Sequence, residues 1–198
     1  MVYNTGFNWR DFLGQYSQEL LADENIRASL PPEVIASEWL GFDGASDEDI
    51  RQLENRLKIE LPPSYRQFLQ TTNGWRNSGA FIYQLWSTQQ VAWFKVRNRG
   101  WIRAYNLWPF KTLPSVPDID YFVYGKKQDP AVFRTEYLQT ALEISDTGDS
   151  AIYLLNPKVI TPDGEWEAWF FANWLPGAAR YRSFRELMQA EREMFLGL

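Results

Sequence analysis

The sequence contains no cysteine and no histidine among its 198 residues. A chain without histidine cannot build a Ser–His–Asp triad or use an imidazole as a general base. Without cysteine it has no thiolate nucleophile and forms no disulfide. A zinc site would have to use carboxylates alone, which zinc rarely does. Enzymes that depend on cysteine or histidine are therefore excluded.

Long apolar runs are also missing. No segment approaches the roughly 20 apolar residues that cross a bilayer. The first residues, MVYNTGFNWRDF, have neither the cationic region nor the apolar core of a signal peptide. We therefore expect a cytoplasmic protein with no membrane partner.

The charge balance is mildly acidic. Twenty-five Asp and Glu against 20 Lys and Arg give a formal net charge of −5. Nucleic-acid affinity comes mostly from cations placed on phosphates, so this balance argues against a nucleic-acid partner. It suits a partner with a basic face.

The hydrophobic content predicts a folded domain with a substantial core. Hydrophobic residues make up 45% of the chain and aromatic residues 17%, with ten Trp. Trp is enriched at the centres of protein interfaces, although most of the ten are expected to be partly buried.

Helical periodicity dominates the first 75 residues. Each predicted helix has apolar residues on one face and a recognisable start or stop. The predicted helices are one capped by Asn8, a shorter one from Pro31 and Pro32, one opened by Ser46 and Asp49, and one from Pro62 and Pro63 to Asn73 and Gly74.

The next part of the chain has a different pattern. GAFIYQLWS, at 79–87, is rich in aromatic residues and predicts a strand. Ser87 and Gln90 have capping-box spacing and predict a helix to about Asn98. Residues 106–134, dense in Pro and Asp, predict irregular structure with short strands.

The last third predicts an antiparallel meander. Strands at 138–145, 150–157 and 165–171 are separated by the turns DTGD and TPDG, and Ser183 caps a closing helix. The predicted fold class is α+β: N-terminal helices packed on a mainly antiparallel, curved sheet, closed by a C-terminal helix.

Two pairs of carboxylates are the candidate chemical groups. Asp146 and Asp149 flank a Gly in SDTGDS, and Asp118 and Asp120 lie in PSVPDIDY. Either pair could serve acid–base chemistry, and the first could also form an acidic metal loop. A hairpin turn and a solvated loop are the alternative interpretations, and we favour them.

The stretch KVRNRGWIRAY interleaves basic and aromatic residues. It contains Lys95, Arg97, Arg99 and Arg103 together with Trp101 and Tyr105. Such patterns bind single-stranded nucleic acid in some proteins, but the acidic total weakens that interpretation here.

The segment from Gly41 to Trp75 resembles the signature of the SUKH superfamily. The pattern is a Gly-Ala-Ser start, an Ile–Leu helix with a Glu, then Leu-Pro-x-x-Tyr-x-x-Phe-Leu and Asn-Gly. The later stretches ISDTGDSAIYLL and RSFRELM resemble the C-terminal half of that family. The residues that match are Gly44, Ala45, Ser46, Ile50, Leu53, Glu54, Leu57, Leu61, Pro62, Tyr65, Phe68, Leu69, Asn73 and Gly74.

The resemblance implies a binding function without catalysis. Bacterial SUKH proteins are known chiefly as immunity proteins that neutralise a toxin, often a nuclease, and fungal relatives act as interaction hubs in cell-wall signalling. The resemblance covers roughly Trp39 to Met188, so we predict a SUKH-like domain at 39–198, with residues 1–38, which lie outside the pattern, as a helical extension packed on it. It also implies a structural role for Leu61, Pro62, Tyr65, Phe68, Leu69, Asn73 and Gly74.

We therefore predict a bacterial immunity protein that binds a cognate toxin, needs no cofactor or metal, and is a monomer or weak dimer. A regulatory scaffold and a carboxylate-dependent hydrolase are the alternatives. The candidate partner-binding residues are Asp118, Asp120, Asp146, Asp149, Trp75 and Trp101.

Overall fold

The computed structural model describes residues 6–79, 81–105, 107 and 114–198. The helices are α1 Trp9–Leu21, α2 Glu24–Ser29, α3 Pro32–Ser37, α4 Asp47–Leu57, α5 Pro63–Thr71, α6 Phe94–Arg97, α7 Arg99–Tyr105, α8 Asp118–Tyr121 and α9 Phe184–Leu196. The strands are β1 Trp75–Arg76, β2 Gln84–Leu85, β3 Ala92–Trp93, β4 Leu142–Glu143, β5 Ala151–Ile160, β6 Trp166–Ala172 and β7 Ala178–Tyr181. Single 3-10 turns lie at Gly125–Lys127 and Thr135–Gln139.

The main sheet is open and antiparallel, in the order β3-β4-β5-β6-β7. The long hairpin of β5 and β6 forms its centre, with a register shift between Asn156 and Ile160. A separate two-stranded sheet pairs β1 with β2. The predicted α+β class, with helices first, an antiparallel sheet and a closing helix, is confirmed.

Both faces of the central hairpin are covered. Successive strand residues point to opposite faces, so Tyr153 and Leu155 enter the core beneath α1, α4, α5 and α9. Ile152 and Leu154 enter a second, smaller core beneath α6, α7 and residues 133–141. The helical layer therefore lies on one face, and a layer of short helices and loops lies on the other.

The N-terminal helices begin where the sequence predicts. The Asn8 side chain accepts hydrogen bonds from two N–H groups of the first turn of α1, at 3.0 and 3.2 Å. Ser46 and Asp49 form the reciprocal capping box of α4, at 3.1 and 2.9 Å. Trp9 packs 5.5 Å from the rings of Phe68 and Phe184, so α1 shares one core with α5 and α9. The proposed boundary after residue 38 stays a prediction.

Helix α5 is a scaffold element, with Tyr65, Phe68 and Leu69 fully buried. Its predicted end at Asn73 and Gly74 is wrong, because the helix stops at Thr71 and the next residue is already extended. The Thr72 hydroxyl explains this stop. It accepts the N–H of Phe42 at 2.8 Å and donates to the Gly74 carbonyl at 2.6 Å, which draws the chain toward the neighbouring segment.

The middle of the chain departs furthest from the sequence prediction. Ser87 and Gln90 form only half of the predicted capping box: the Gln90 side chain accepts the N–H of Ser87 at 3.2 Å and its hydroxyl at 2.9 Å, while the Gln90 N–H donates to the Ser87 carbonyl. A helix does not follow directly. Ala92 and Trp93 instead pair with β4, and α6 begins only afterwards. The predicted strand at 79–87 shortens to β2. Within the part of 106–134 that the structure describes, short helical turns replace the predicted strands; 106 and 108–113 lie outside it.

Candidate functional site

The DTGD turn is part of the fold's hydrogen-bonding framework. Asp146 is half-buried; its carboxylate accepts the N–H of Tyr83 at 3.2 Å, and burial raises its pKa. Asp149 is exposed, and its backbone N–H donates to the Phe81 carbonyl at 2.8 Å. The turn is therefore attached to the segment before β2. Among the described residues, no group of three or more Asp or Glu is arranged to hold a metal ion.

An exposed tryptophan lies beside this turn. Trp174 is 49% exposed, and its indole N–H donates to the Asp149 carbonyl at 3.2 Å. Its ring packs 5.2 Å from Phe81, while Tyr83 nearby in the chain is 56% exposed. We define the Trp174 surface as Tyr83, Asp146, Asp149 and Trp174. Sequence reasoning did not single out Trp174, although a Trp just after a buried strand and before Pro-Gly was a usable signal.

The second predicted carboxylate pair lies on the short helix α8. Asp118 and Asp120 are exposed, and Ile119 between them is 84% exposed. Phe122 follows at 45% exposed, while Tyr121 is fully buried. We define the α8 surface as Asp118, Ile119, Asp120 and Phe122. Large apolar side chains this exposed and this close to charged groups are typical of contact sites.

A groove runs beside the α8 surface. Its volume is about 580 Å³, and its lining is mostly apolar. The lining residues include Val116, Asp120, Val123 and Val132. A partner side chain that packs on Ile119 could therefore also enter a concave, largely apolar site next to it.

The buried guanidinium of Arg134 holds the N-terminal side of α8. Its Nε and Nη2 donate to the Val116 carbonyl at 2.8 and 2.6 Å, and Nη2 also forms an ion pair with Asp118. The same group lies 4.4 Å above the Tyr121 ring. Part of the Asp118 charge is thus neutralised within the chain, whereas Asp120 has no ion pair with a described residue.

A buried carboxylate holds the other side of α8. Glu167 on β6 is fully buried and accepts the hydroxyl of Tyr121 at 2.7 Å and that of Tyr124 at 2.8 Å. Its remaining donors are Asn156 at 3.0 Å, Trp169 at 2.7 Å and Arg180 at 3.5 Å. The pKa values of the two tyrosines are raised by burial and by the nearby carboxylate, so both stay hydrogen-bond donors.

This network makes the α8 surface a preorganised one. Arg180 is 1% exposed, and it also donates to the Tyr121 carbonyl. The exposed residues on α8 are therefore attached to the central sheet rather than to a free loop. A surface that is already ordered loses less conformational freedom when it binds.

The two predicted tryptophans are less accessible than Trp174. Trp75 is 0% exposed, and its ring meets Trp39 edge-on at 5.2 Å. A ring in the core cannot contact a partner unless the fold changes. Trp101 is half-buried, with its ring 5.2 Å from Phe171 on β6.

The four predicted carboxylates do not converge. Asp118 and Asp120 belong to the layer held by β6 and β7, whereas Asp146 and Asp149 are bonded to the segment before β2. Among the described residues, no hydrogen bond or ion pair joins one pair to the other. The geometry thus favours two separate surfaces over a shared acid–base cleft.

Fold and surfaces together describe an α+β domain whose exposed acidic and apolar side chains are held by buried polar networks. The chain belongs to the SMI1 / KNR4 family (SUKH-1), whose model matches residues 44–190. This match confirms the resemblance found in the sequence, including its C-terminal part in α9. A search of the curated proteins gave no match. Among the described residues, no helix is both long and apolar enough to cross a membrane.

Proposed function

We propose that this protein is an immunity protein, which binds one cognate bacterial toxin and neutralises it by forming a complex. Family membership supports this class of function, because it is the one that the SUKH resemblance implies. Binding alone suffices for neutralisation, so the proposal needs no catalytic residue, cofactor or metal.

The main observation in support of the proposal is that Ile119 is exposed on the preorganised helix α8. An isoleucine that is 84% exposed gains about 1.5–3 kcal/mol when a partner buries it. That gain corresponds to roughly a tenfold to hundredfold change in affinity. We therefore place the apolar centre of the toxin interface at the α8 surface.

Charge supplies the second part of the interface. A toxin that acts on nucleic acid carries cationic groups at its active site, and Asp118 and Asp120 are placed to meet them. Asp120 should contribute more, because Arg134 already pairs with Asp118. Exposed carboxylates of this kind raise the association rate more than the final affinity, and salt reduces that effect.

The test is co-expression with the toxin encoded by the neighbouring gene, followed by calorimetry on the purified complex. An immunity protein must outcompete substrate at low toxin levels, so we expect nanomolar or stronger affinity, about −12 kcal/mol. Ile119→Ala should weaken binding at least tenfold. Ile160→Ala is the matched control, because Ile160 is also exposed, at 57%, and lies on neither candidate surface.

Three results would count against the proposal in different ways. If Ile119→Ala and Ile160→Ala bind the toxin equally well and only Trp174→Ala weakens binding, the interface would lie at the Trp174 surface instead. Failure of the neighbouring toxin to bind would favour a regulatory scaffold. Turnover of a nucleic-acid or glycan substrate that a single substitution, such as Asp146→Asn, abolishes would favour a carboxylate-dependent hydrolase.

A further inference from the structure

A cationic groove lies between α6, α7 and the 3-10 turn at Thr135–Gln139. Its volume is about 460 Å³, and it is lined by Lys95, Val96, Arg99, Ile102, Arg103 and Gln139. Within the part of the chain that the structure describes, no Asp or Glu lines it. The groove therefore concentrates positive charge on a protein whose formal net charge is −5.

The cations of the groove are not used inside the molecule. Lys95, Arg99 and Arg103 are exposed and form no ion pair with any residue that the structure describes. Arg97, in the same stretch, differs because it pairs with Glu143 at 2.9 Å. Three neighbouring cations without counter-charges repel one another, and an anionic ligand would relieve that repulsion.

The spacing of these cations favours an ordered anionic segment. Arg99 and Arg103 are four residues apart on α7, so their side chains lie about one helical turn, roughly 5–6 Å, apart on one side. Lys95 lies on α6, which the non-helical residue Asn98 separates from α7. Carboxylates four residues apart on a partner helix have the same spacing.

The groove also has an apolar component. Val96 is 59% exposed at its edge, and the side chain of Ile102 lines it from the core side. A ligand that fills the groove must therefore present an apolar side chain among its anionic groups. An amphipathic acidic peptide does so, whereas the backbone of a nucleic acid does not.

The aromatic rings of the same stretch argue further against nucleic acid. Trp101 and Tyr105 pack against Phe171, with ring centroids at 5.2 and 5.4 Å. Single-stranded nucleic acids need exposed rings on which bases stack. Here both rings pack toward the sheet, whereas the side chains of Lys95, Arg99 and Arg103 are exposed.

We infer that this groove is a docking site for an acidic amphipathic polypeptide segment, with Arg99 and Arg103 as its carboxylate-binding residues and Val96 as its apolar contact. This site is separate from the α8 surface, and its charge is opposite. The inference does not depend on the toxin proposal, because it concerns a different surface and a different ligand chemistry.

The test uses the full chain and a fluorescent synthetic peptide of repeated Glu-Glu-Leu-Glu units, followed by anisotropy at low and high salt. We expect binding that salt weakens and that Arg99→Gln with Arg103→Gln lowers at least tenfold. Arg27→Gln with Arg51→Gln is the matched control, since it removes the same charge from exposed positions elsewhere. Val96→Ser should also weaken binding.

Comparison ligands separate this site from general charge attraction. A peptide with Gln for Glu, and one with Ser for Leu, should both bind more weakly than the parent peptide. Loss of affinity to the same degree in the control variant would overturn the inference, as would absence of peptide binding. Tighter binding of oligothymidylate than of the peptide would overturn it in favour of a nucleic-acid site.

Discussion

Glu191 on α9 is a carboxylic acid in the core, only 2% exposed. Its Oε2 lies 2.5 Å from the hydroxyl of Tyr153, and that hydroxyl lies 2.6 Å from the carbonyl of Ser78. A tyrosine hydroxyl has one hydrogen and can donate to one of these acceptors. If it donates to the Ser78 carbonyl, Glu191 must itself be protonated to donate to the tyrosine oxygen. Both contacts of the Tyr153 hydroxyl can therefore be hydrogen bonds only when Glu191 is protonated and neutral.

The surroundings of Glu191 also favour its neutral form. Burial raises the pKa of Glu191 from its ordinary value of 4.5 to about 7, and the hydrogen bond from Tyr153 offsets only part of that effect. The nearest cation along the helix, Arg192, is paired with Glu19. The buried hydroxyl of Tyr16 forms no hydrogen bond with any described residue, so it does not stabilise a charged Glu191.

The sign of the stability effect follows from proton binding. Between about pH 4.5 and pH 7 the folded protein holds the Glu191 proton while the unfolded chain has lost it. The free energy of unfolding therefore falls as pH rises through this window. A pKa raised from 4.5 to about 7, at about 1.4 kcal/mol for each pH unit, amounts to roughly 3–4 kcal/mol.

The variant Glu191→Gln isolates this effect, because an amide does not titrate and still has an N–H to donate to Tyr153. Urea unfolding should be measured for both proteins from about pH 4.5 to about pH 8. We expect the stability of the wild type relative to the variant to fall by about 3 kcal/mol across that range. The difference between the proteins is needed because burial also raises the pKa of Glu143 and of Glu165.

Glu193→Gln serves as the control, since Glu193 lies two residues further along the same helix and is exposed. Its stability should follow that of the wild type at every pH. Parallel profiles for the wild type and Glu191→Gln would refute the reasoning, because they would mean that the folded state does not hold the extra proton.

The remaining predictions concern the scaffold and the α8 surface. Leu69→Ala should lower the free energy of unfolding by about 2–5 kcal/mol in urea, whereas Gln70→Ala, exposed on the same helix, should change it little. Glu167→Leu should destabilise by about 3–5 kcal/mol in the same assay, because it leaves a buried arginine without its counter-charge. Asp118→Asn with Asp120→Asn should slow toxin association in stopped-flow and reduce its salt dependence. A rate unchanged by salt or by this substitution would contradict the electrostatic contribution.

The sequence alone was sufficient for the helices that are capped locally. Asn8, Ser46 and Ser183 each accept a backbone N–H within three residues of themselves, so the short spacing contains the whole interaction. Their apolar stripes then predicted which face of each helix enters the core. The SUKH signature was recognisable for the same reason, because its caps, its prolines and its regularly spaced apolar residues all lie in one short segment that contains α4 and α5.

Interactions between distant residues could not be predicted in this way. The N-terminus of α5 is completed by Glu165, which accepts the N–H of Ser64 at 2.9 Å and its hydroxyl at 2.6 Å across 101 positions. Ala92 and Trp93 follow the Ser87–Gln90 sequence that predicts a helix start, yet pairing with β4 makes them a strand. In both cases a distant partner outweighs the local preference.

The candidate surfaces depended most on tertiary structure. The composition showed ten Trp but could not separate Trp75, at 0% exposed, from Trp174, at 49%. It also gave no sign that Glu167 and Glu191 are core residues, because carboxylates are usually solvated. Burial is a property of what packs against a side chain from elsewhere in the chain. For this reason the local sequence determined where helices begin, and only the folded sheet and its two layers decided which side chains a partner can reach.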